Sequence, residues 1–243
     1  MLLSLETSTD ICSIAFQDKS GEIYEKRMQR KGSHSEYVFL FIRELMEEHD
    51  FKVGDLEAVL VSNGPGSYTG LRIAASAVKG LLFGTEVKVY AGNTLAGFAY
   101  DVAKSGSHKR TLVTGEIELA TRNPEPETQK TIHAVINARR KHLYHQQFLF
   151  DGELKAQTKS DIIELSEVEQ QLESGHFLVG TGINRLTEES REKVQEFGMD
   201  HISAKPFIEL FNTEGGKEFF RKTTAEELES NYISSSQVNN SKV

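Results

Sequence analysis

A glycine-rich segment at residues 63–72, NGPGSYTGLR, constrains this chain more than any other feature of its sequence. It follows an apolar run at residues 58–61 and precedes a stretch rich in small residues. Glycine tolerates positive φ and proline fixes its own φ, so the segment predicts a tight turn that leaves a strand and enters a helix. Amide groups at such a helix start can hold a phosphate, a carboxylate or a partner's acidic side chain. The segment is not a Walker A loop, because Leu71 and Arg72 follow Gly70 where that loop has Lys and Ser or Thr.

Composition limits the classes of protein that remain. The chain has 243 residues, of which 38% are hydrophobic, so it can bury the core of one large domain or of two lobes. A net charge of −8 argues against nucleic-acid binding over the whole surface and confines any RNA contact to one patch or to an indirect role. A lone cysteine, Cys12, excludes an internal disulfide framework and favours a reducing compartment. The start of the chain lacks the basic region of a signal peptide and no long apolar run follows, so the sequence predicts a cytoplasmic protein without a membrane partner.

The first hundred residues alternate strand and helix patterns, which predicts an α/β arrangement. Ser33 and Glu36 are spaced as a capping box and open a helix whose apolar stripe is wider than one core requires. The next helix, predicted over residues 71–83, carries small residues at three- and four-residue spacing, which would let another helix approach its backbone. Both properties are typical of a helix-bundle interface, although apolar helical stripes more often pack in their own core.

The sequence patterns in the second half of the chain allow only a coarser prediction than those in the first hundred residues. Residues 105–131 predict a long surface loop that joins two lobes, and residues 234–243 predict a disordered tail. Two strands are expected to pair around Arg139-Arg140-Lys141. The remaining predicted elements are a helix over 166–172, a strand over 177–179, a helix over 184–197 and a helix over 206–221.

Several pieces of the sequence, taken in order, resemble the bacterial TsaB (YeaZ) proteins. They are ETSTD at residues 6–10, CSIA at 12–15, HSE at 34–36, GPGSYTGLR at 64–72 and NAR at 137–139 before Tyr144. The resemblance implies a two-lobed actin-like, Hsp70-like and sugar-kinase-like (ASKHA) fold, with mixed sheets flanked by helices. It further implies a first lobe at residues 1–104, the joining loop at 105–131, and a second lobe at 132–233 whose last helices can pack back on the first.

The resemblance also implies a function. Its members are non-catalytic subunits of the complex that makes N6-threonylcarbamoyladenosine at position 37 of tRNA. They bind and activate a TsaD catalytic subunit. A TsaE ATPase is the further component, and contact with tRNA is indirect, through the complex. In this chain the two long helices would form the partner interface. The residues expected there are Tyr37, Val38, Phe41, Ile42, Leu45, Gly70, Leu71, Ala74, Ala77 and Val78.

Two departures predict that the chain itself does no chemistry. Glu6 stands where the family more often has Asp, and Asn137 offers a neutral amide at the corresponding turn of the second lobe, so Mg²⁺ binding would be weakened at both. We therefore expect no catalytic residue, no metal and no cofactor, except a nucleotide at an interface with partners. The residues that could touch a phosphate are Glu6, Thr7, Ser8, Thr9, Ser67, Thr69, Asn137 and Arg139. Their alternative role is local turn structure.

Other functions stay open at this point. An ATPase or small-molecule kinase of the same superfold is one alternative, and a structural protein that forms homodimers when alone is another. His142 and His145 are three residues apart on a predicted strand, so they point to opposite faces and do not share a metal. Basic clusters such as Arg139-Arg140-Lys141 either touch tRNA or are solvated surface.

Overall fold

The structure is a computed structural model that describes residues 1–30, 32, 34–105 and 129–229. Ser33, most of the predicted joining loop and the predicted tail at 234–243 lie outside the described residues. The strands are β1 (Leu2–Glu6), β2 (Ile11–Gln17), β3 (Ile23–Gln29), β4 (Ala58–Ser62), β5 (Lys88–Gly92), β6 (Lys130–Asn137), β7 (His142–Phe150), β8 (Leu154–Ala156), β9 (Asp161–Glu164), β10 (Phe177–Val179), β11 (Gln195–Phe197) and β12 (Phe220–Thr223). The α-helices are α1 (His34–Glu48), α2 (Tyr68–Leu81), α3 (Thr94–Ser105), α4 (Leu165–Gln171), α5 (Glu188–Arg191) and α6 (Lys205–Phe211).

Two mixed six-stranded sheets organise the chain. The first has the order β12-β5-β4-β1-β2-β3, with β1, β4 and β5 parallel and the β1-β2-β3 meander antiparallel. The second has the order β11-β10-β6-β7-β8, and β9 also pairs with β7. Parallel pairs joined through helices and antiparallel hairpins within one sheet are the mixed α/β pattern that the sequence predicts.

Helices fill the faces of the sheets in layers. One face of the first sheet is covered by α1 and α2, and the other by α3 and α6. The second sheet packs on the far side of α3, while α4 covers its outer face. Nearly every residue of α3 is buried, as expected of a helix held between two sheets. In the part of the chain that the structure describes, no helix is both long enough and apolar enough to span a membrane.

Two helix predictions in the second half are wrong. Residues 206–221 divide among α6, which ends at Phe211, a 3-10 turn at Gly215–Phe219 and then β12, whose Phe220 is buried beside Gly92 on β5. Residues 184–197 form the end of a 3-10 turn, the short helix α5 and β11, whose Phe197 packs against Phe177 on the adjacent strand. In both places a pairing with a distant strand overrides the local helical pattern.

The chain returns to the first lobe after building the second. Helix α6 packs on β1 and β2, and β12 pairs antiparallel with β5 at the edge of the first sheet. The second sheet, by contrast, is formed entirely by strands between Lys130 and Phe197. The division of the chain at 1–104, 105–131 and 132–233 stays a prediction.

Candidate docking site between two helices

The glycine-rich segment is the strand-turn-helix that its sequence predicts. Helix α2 begins directly after it, and the Ser67 hydroxyl accepts a hydrogen bond from the Gly70 amide at 3.3 Å, which caps the helix. The segment lies on the β1–β2 turn, since the Ser67 amide donates to the Ser8 carbonyl at 2.6 Å. A Cβ at Gly70 would stand 1.9 Å from the Thr7 carbonyl oxygen, so only glycine permits this approach.

This close packing closes the β1–β2 turn. Glu6, Thr7 and Ser8 are buried, and most of their side-chain polar atoms are bonded within the protein, whereas Glu6 Oε2 is buried without a hydrogen-bond partner. The Thr7 hydroxyl donates to the Gly70 carbonyl at 2.8 Å, and Glu6 Oε1 accepts from the Ser8 amide at 2.7 Å and from its hydroxyl at 2.6 Å. These three residues support the turn from inside, and phosphate contacts at Glu6, Thr7 and Ser8 stay predictions. Thr9 is buried as well, and its hydroxyl accepts from the Ile11 amide at 3.2 Å.

The Glu6 carboxyl sits in a low-dielectric environment. Burial raises its pKa from 4.5 to about 7, even though the hydrogen bonds from Ser8 favour the charged form. Through Oε1, Glu6 holds the backbone and the hydroxyl of Ser8 and so supports the turn.

The corresponding turn of the second lobe is open. Asn137 is exposed, and its Oδ1 accepts from the Arg139 amide at 3.0 Å and from Arg185 Nη1 at 2.6 Å. Arg185 also donates through Nη2 to the Arg140 carbonyl. The contribution of Arg185 was missed because this residue lies 48 positions from Asn137 and no local pattern connects them. Phosphate contacts at Asn137, Arg139, Ser67 and Thr69 stay predictions.

A groove runs between α1 and α2 on the outer side of the first lobe. Its volume is about 420 Å³ and its lining is mainly apolar and aromatic. It is lined by Ser35, Phe39, Tyr68, Thr69, Arg72, Ile73, Ser76 and Ala77. Phe39 is 52% exposed and Tyr68 is 44% exposed, which is unusual for large aromatic side chains in a folded chain. The Arg72 guanidinium lies 4.2 Å from the centre of the Tyr68 ring, within cation–π distance.

The predicted interface residues mostly face the other way. Those on the wrong face for a partner, all buried in the core beneath the two helices, are Val38, Phe41, Ile42, Leu45, Leu71, Ala74 and Val78. Gly70 is buried against Thr7, Tyr37 is partly exposed, and Ala77 is buried at the floor of the groove. The interface was predicted on the densest apolar stripe of the two helices, but in the structure that stripe packs on the first sheet. The outward surface comes from Phe39 and Tyr68, which lie outside it.

Comparison with known proteins agrees with the resemblance found in the sequence. A family model described as "TsaD: tRNA N6-adenosine threonylcarbamoyltransferase" matches residues 26–113. Curated proteins named "tRNA threonylcarbamoyladenosine biosynthesis protein TsaB" match more of the chain. The relative from Buchnera aphidicola (Schizaphis graminum) is 22% identical over 89% of this chain and 95% of its own length. That from Escherichia coli K12 is 24% identical over 74% of this chain and 71% of its own length. These matches support the TsaB (YeaZ) family.

Solved structures of the family show the fold. YeaZ from Pseudomonas aeruginosa superposes with a TM-score of 0.71 at 19% identity, covering 96% of this chain and 99% of that one. Together with the two mixed sheets and their flanking helices, this confirms the two-lobed actin-like (ASKHA) fold that the resemblance implies. The Bacillus subtilis TsaB, 28% identical over 46% of this chain, illustrates that some relatives align over about half of their length only.

A polar cavity of about 510 Å³ lies where the two lobes of the chain meet. It borders the carboxyl ends of β4 and β5, and Asn93 connects the lobes there by donating to Gln146 at 2.8 Å. Glu218, Glu229 and Arg221 are its charged lining residues. Two acids beside one guanidinium give the cavity no preference for a phosphate. Within the described ranges, no group of three or more His, Cys, Asp or Glu residues is arranged to hold a metal ion.

A buried chain of three histidines crosses the second sheet. His133 lies between His145 and His176, with nitrogen–nitrogen distances of 3.0 Å on each side. Burial lowers the pKa of His133 to about 3, helped by its two histidine neighbours, and lowers the pKa of His145 to about 4. A neutral imidazole donates through one ring nitrogen and accepts through the other, so His133 can bond to both neighbours. The spacing in the sequence relates His145 only to His142, so the contact between His145 and His133 on the neighbouring strand was not predicted.

Proposed function

We propose that the chain is a non-catalytic subunit in the synthesis of N6-threonylcarbamoyladenosine at position 37 of tRNA, and that it binds and activates a TsaD-like catalytic subunit. The observation that carries this proposal is the open groove between α1 and α2, with Phe39 and Tyr68 exposed on its walls. The names of the curated TsaB relatives support the broader role in threonylcarbamoyladenosine biosynthesis.

The chemistry of the groove suits a protein partner. Binding interfaces are centred on aromatic and arginine side chains in apolar surroundings, and Phe39, Tyr68 and Arg72 supply that combination. Covering apolar surface contributes on the order of 25 cal/mol for each Å² removed from water. The Arg72 guanidinium, already stacked on an aromatic ring, would pair with a carboxylate of the partner.

The match to the TsaD family model supports the choice of partner. The matched residues, 26–113, contain both helices of the groove, so a TsaD-like protein carries the counterpart of this segment. Two related helix pairs can pack face to face around an approximate two-fold axis, which gives a four-helix contact. We therefore favour a TsaD-like subunit over an unrelated protein as the occupant of the groove.

Activation would follow from differential binding. A subunit that binds the active arrangement of its partner more tightly shifts the partner toward that arrangement, by an amount set by the difference in affinity. The buried Glu6 and the neutral Asn137 support a division of labour in which the partner performs the chemistry. A TsaE-like ATPase, a nucleotide at a subunit interface and tRNA reached through the complex belong to the same proposal.

The test compares two exposed phenylalanines. Phe39→Ala removes a groove residue, whereas Phe83→Ala removes an 87% exposed phenylalanine that does not line the groove. Affinity for the TsaD-like subunit of the same organism is measured by calorimetry. We expect Phe39→Ala to weaken binding by about tenfold or more, as for an interface hot spot, and Phe83→Ala to change it little. Equal affinities for Phe39→Ala and the unaltered chain would contradict docking in the groove.

The same samples address the alternatives. Sedimentation of the chain alone and with the TsaD-like subunit separates a homodimer from a heteromer. ATP turnover by the purified chain without a partner would contradict the non-catalytic role.

A further inference from the structure

We propose that the turn between β6 and β7 is a contact site for the phosphate backbone of RNA. The site, here called the basic turn, consists of Arg139, Arg140 and Lys141, braced by Arg185. The inference rests on the proposed function only in taking tRNA as the relevant RNA. It concerns a surface of the second lobe that is separate from the groove between α1 and α2.

Charge is concentrated at the basic turn. Arg139, Arg140 and Lys141 are consecutive and exposed, and the Arg185 guanidinium lies against them, in a chain whose net charge is −8. None of these four side chains forms an ion pair with a carboxylate of the described residues. Three uncompensated cations at the tip of the hairpin, with the Arg185 guanidinium beside them, form the kind of local positive patch that phosphate contacts require.

The backbone of the basic turn does not suit the residues that form it. Arg139 has φ of 71° and Arg140 has φ of 48°, so two successive residues with bulky side chains lie in the left-handed region. Hairpin turns with this backbone prefer Asn-Gly, because Gly adopts positive φ without steric cost and Asn tolerates it. The backbone conformation of the turn thus favours uncharged residues and does not account for arginine at positions 139 and 140.

Arg185 holds this turn in shape. It donates to the Asn137 side chain at 2.6 Å and to the Arg140 carbonyl, so one guanidinium joins both ends of the turn. Asn137 in turn accepts from the Arg139 amide. The side chains of Arg139, Arg140 and Lys141 therefore extend from a braced backbone, which reduces the entropic cost of binding a ligand.

The surroundings favour RNA over a protein partner. The large hydrophobic side chains that the described residues expose are Phe39, Tyr68 and Phe83, and all three belong to the first lobe. A stable protein interface needs an apolar or aromatic anchor in its centre, and the basic turn has none. Phosphate contacts depend on Arg and Lys charge and carry little sequence information. Such contacts would position RNA and leave base recognition to the partner subunit.

The experiment measures how tRNA binding depends on salt. The triple variant Arg139→Gln, Arg140→Gln, Lys141→Gln is compared with Lys19→Gln, Lys88→Gln, Lys222→Gln, which removes the same charge from exposed positions elsewhere. The affinity of the complex with the TsaD-like subunit for tRNA is measured by fluorescence anisotropy between low and physiological salt. We expect the first variant to bind more weakly, with a log–log salt slope that is shallower by about 0.7 to 0.9 for each phosphate that is no longer neutralised. The control should keep the slope of the unaltered complex.

A second variant keeps the result interpretable if the triple variant is unstable. Arg139→Asn with Arg140→Gly gives the turn its preferred residues, so the thermal midpoint should rise while tRNA affinity falls. Equal tRNA affinity and salt slope for the basic-turn and control variants would overturn the proposal. Loss of ATP or inorganic phosphate binding with unchanged tRNA binding would also overturn it, and would assign the turn to a nucleotide.

The two proposals fail in different ways. Partner binding is measured on the same preparations, and the basic-turn variants should retain it, whereas Phe39→Ala should not. If the unaltered chain does not bind the TsaD-like subunit, the proposed function fails. The basic turn is then tested by the tRNA affinity of the chain alone, with the same pair of triple variants.

Discussion

The turn after β1 and the turn after β6 occupy corresponding places in the two lobes, yet they have opposite environments. The first is buried under the glycine-rich segment, where the Thr7 hydroxyl bonds to Gly70 and Glu6 Oε1 bonds to Ser8. The second is exposed, basic and held from one side by Arg185. The Glu6 carboxyl is buried and the corresponding position of the second turn carries the neutral Asn137, so neither of these two positions presents a carboxylate to solvent. The comparison teaches that corresponding turns of one two-lobed fold can differ in both burial and charge.

The largest effect should come from opening the closed turn. Gly70→Ala places a Cβ 1.9 Å from the Thr7 carbonyl, so we expect a loss of about 3 kcal/mol or more in the free energy of unfolding. Gly80→Ala is the matched control on the same helix, since its Cβ meets nothing within 4 Å, and it should stabilise the chain by up to about 1 kcal/mol. Urea denaturation of both variants measures the difference. If Gly70→Ala were as stable as the unaltered chain, the close packing of the two segments would be refuted.

The carboxyl of the closed turn should give stability an unusual pH dependence. The pKa of Glu6 is about 7 in the folded chain and 4.5 ordinarily, so between these values the folded state binds more protons than the unfolded state. Its contribution is therefore present below pH 4.5 and is lost as pH rises through 7, by at most about 3 kcal/mol. Glu6→Gln, which stays neutral, should abolish this decline, and the exposed Glu36→Gln should not. A decline that persists in Glu6→Gln would show that another group causes it.

The second lobe should respond to pH in the opposite sense. The pKa of His133 falls from 6.5 to about 3 on folding, so the unfolded state binds more protons between these values and stability decreases as pH falls below 6.5. His133→Phe should reduce this loss of stability at acid pH. It should also lower the free energy of unfolding at pH 7 by about 1 to 3 kcal/mol, because His145 and His176 each lose a hydrogen-bond partner. His142→Gln, on the same sheet but outside the histidine chain, serves as the control. An unchanged loss of stability at acid pH in His133→Phe would exclude the histidine chain as its source.

The smallest effect is expected at the open turn. Asn137→Ala removes the acceptor for the Arg139 amide and for Arg185, but the groups are accessible to water, so we expect a loss of about 1 kcal/mol or less. The exposed Asn184→Ala provides a baseline for replacing Asn with Ala outside this turn. Thermal unfolding of the two variants gives the difference. A cost for Asn137→Ala as large as that for Gly70→Ala would break the distinction between a closed and an open turn.

Local patterns predicted the elements that depend on neighbouring residues. The glycine-rich segment, the β1-β2-β3 meander and α4 follow from turn residues and short-range periodicity, and the structure confirms them. The outward face of α1 did not follow. Phe39 and Phe41 are equally apolar in the sequence, and only the position of the sheet decides that Phe41 is buried and Phe39 is exposed.

Contacts between distant residues account for the remaining differences. Arg185 braces a turn 48 positions away, β12 pairs with β5 instead of continuing a helix, and His133 meets His145 and His176 across neighbouring strands. Each depends on which strands become neighbours. A single sequence shows which residues favour a strand but not which strand will pair with it.

The sequence by itself determined where the backbone must turn tightly and which stretches of the first lobe are strands or helices. It also determined that positive surface on this acidic chain is limited to a local patch. These follow from the steric freedom of glycine, the period of the apolar residues and the sum of the charges. The tertiary structure alone decided that the turn of Glu6 is closed, that Phe39 and Tyr68 form an open groove, and that Arg185 braces the basic turn. Burial, exposure and long-range hydrogen bonds are properties of packed surfaces, and they exist only once distant segments have been brought together.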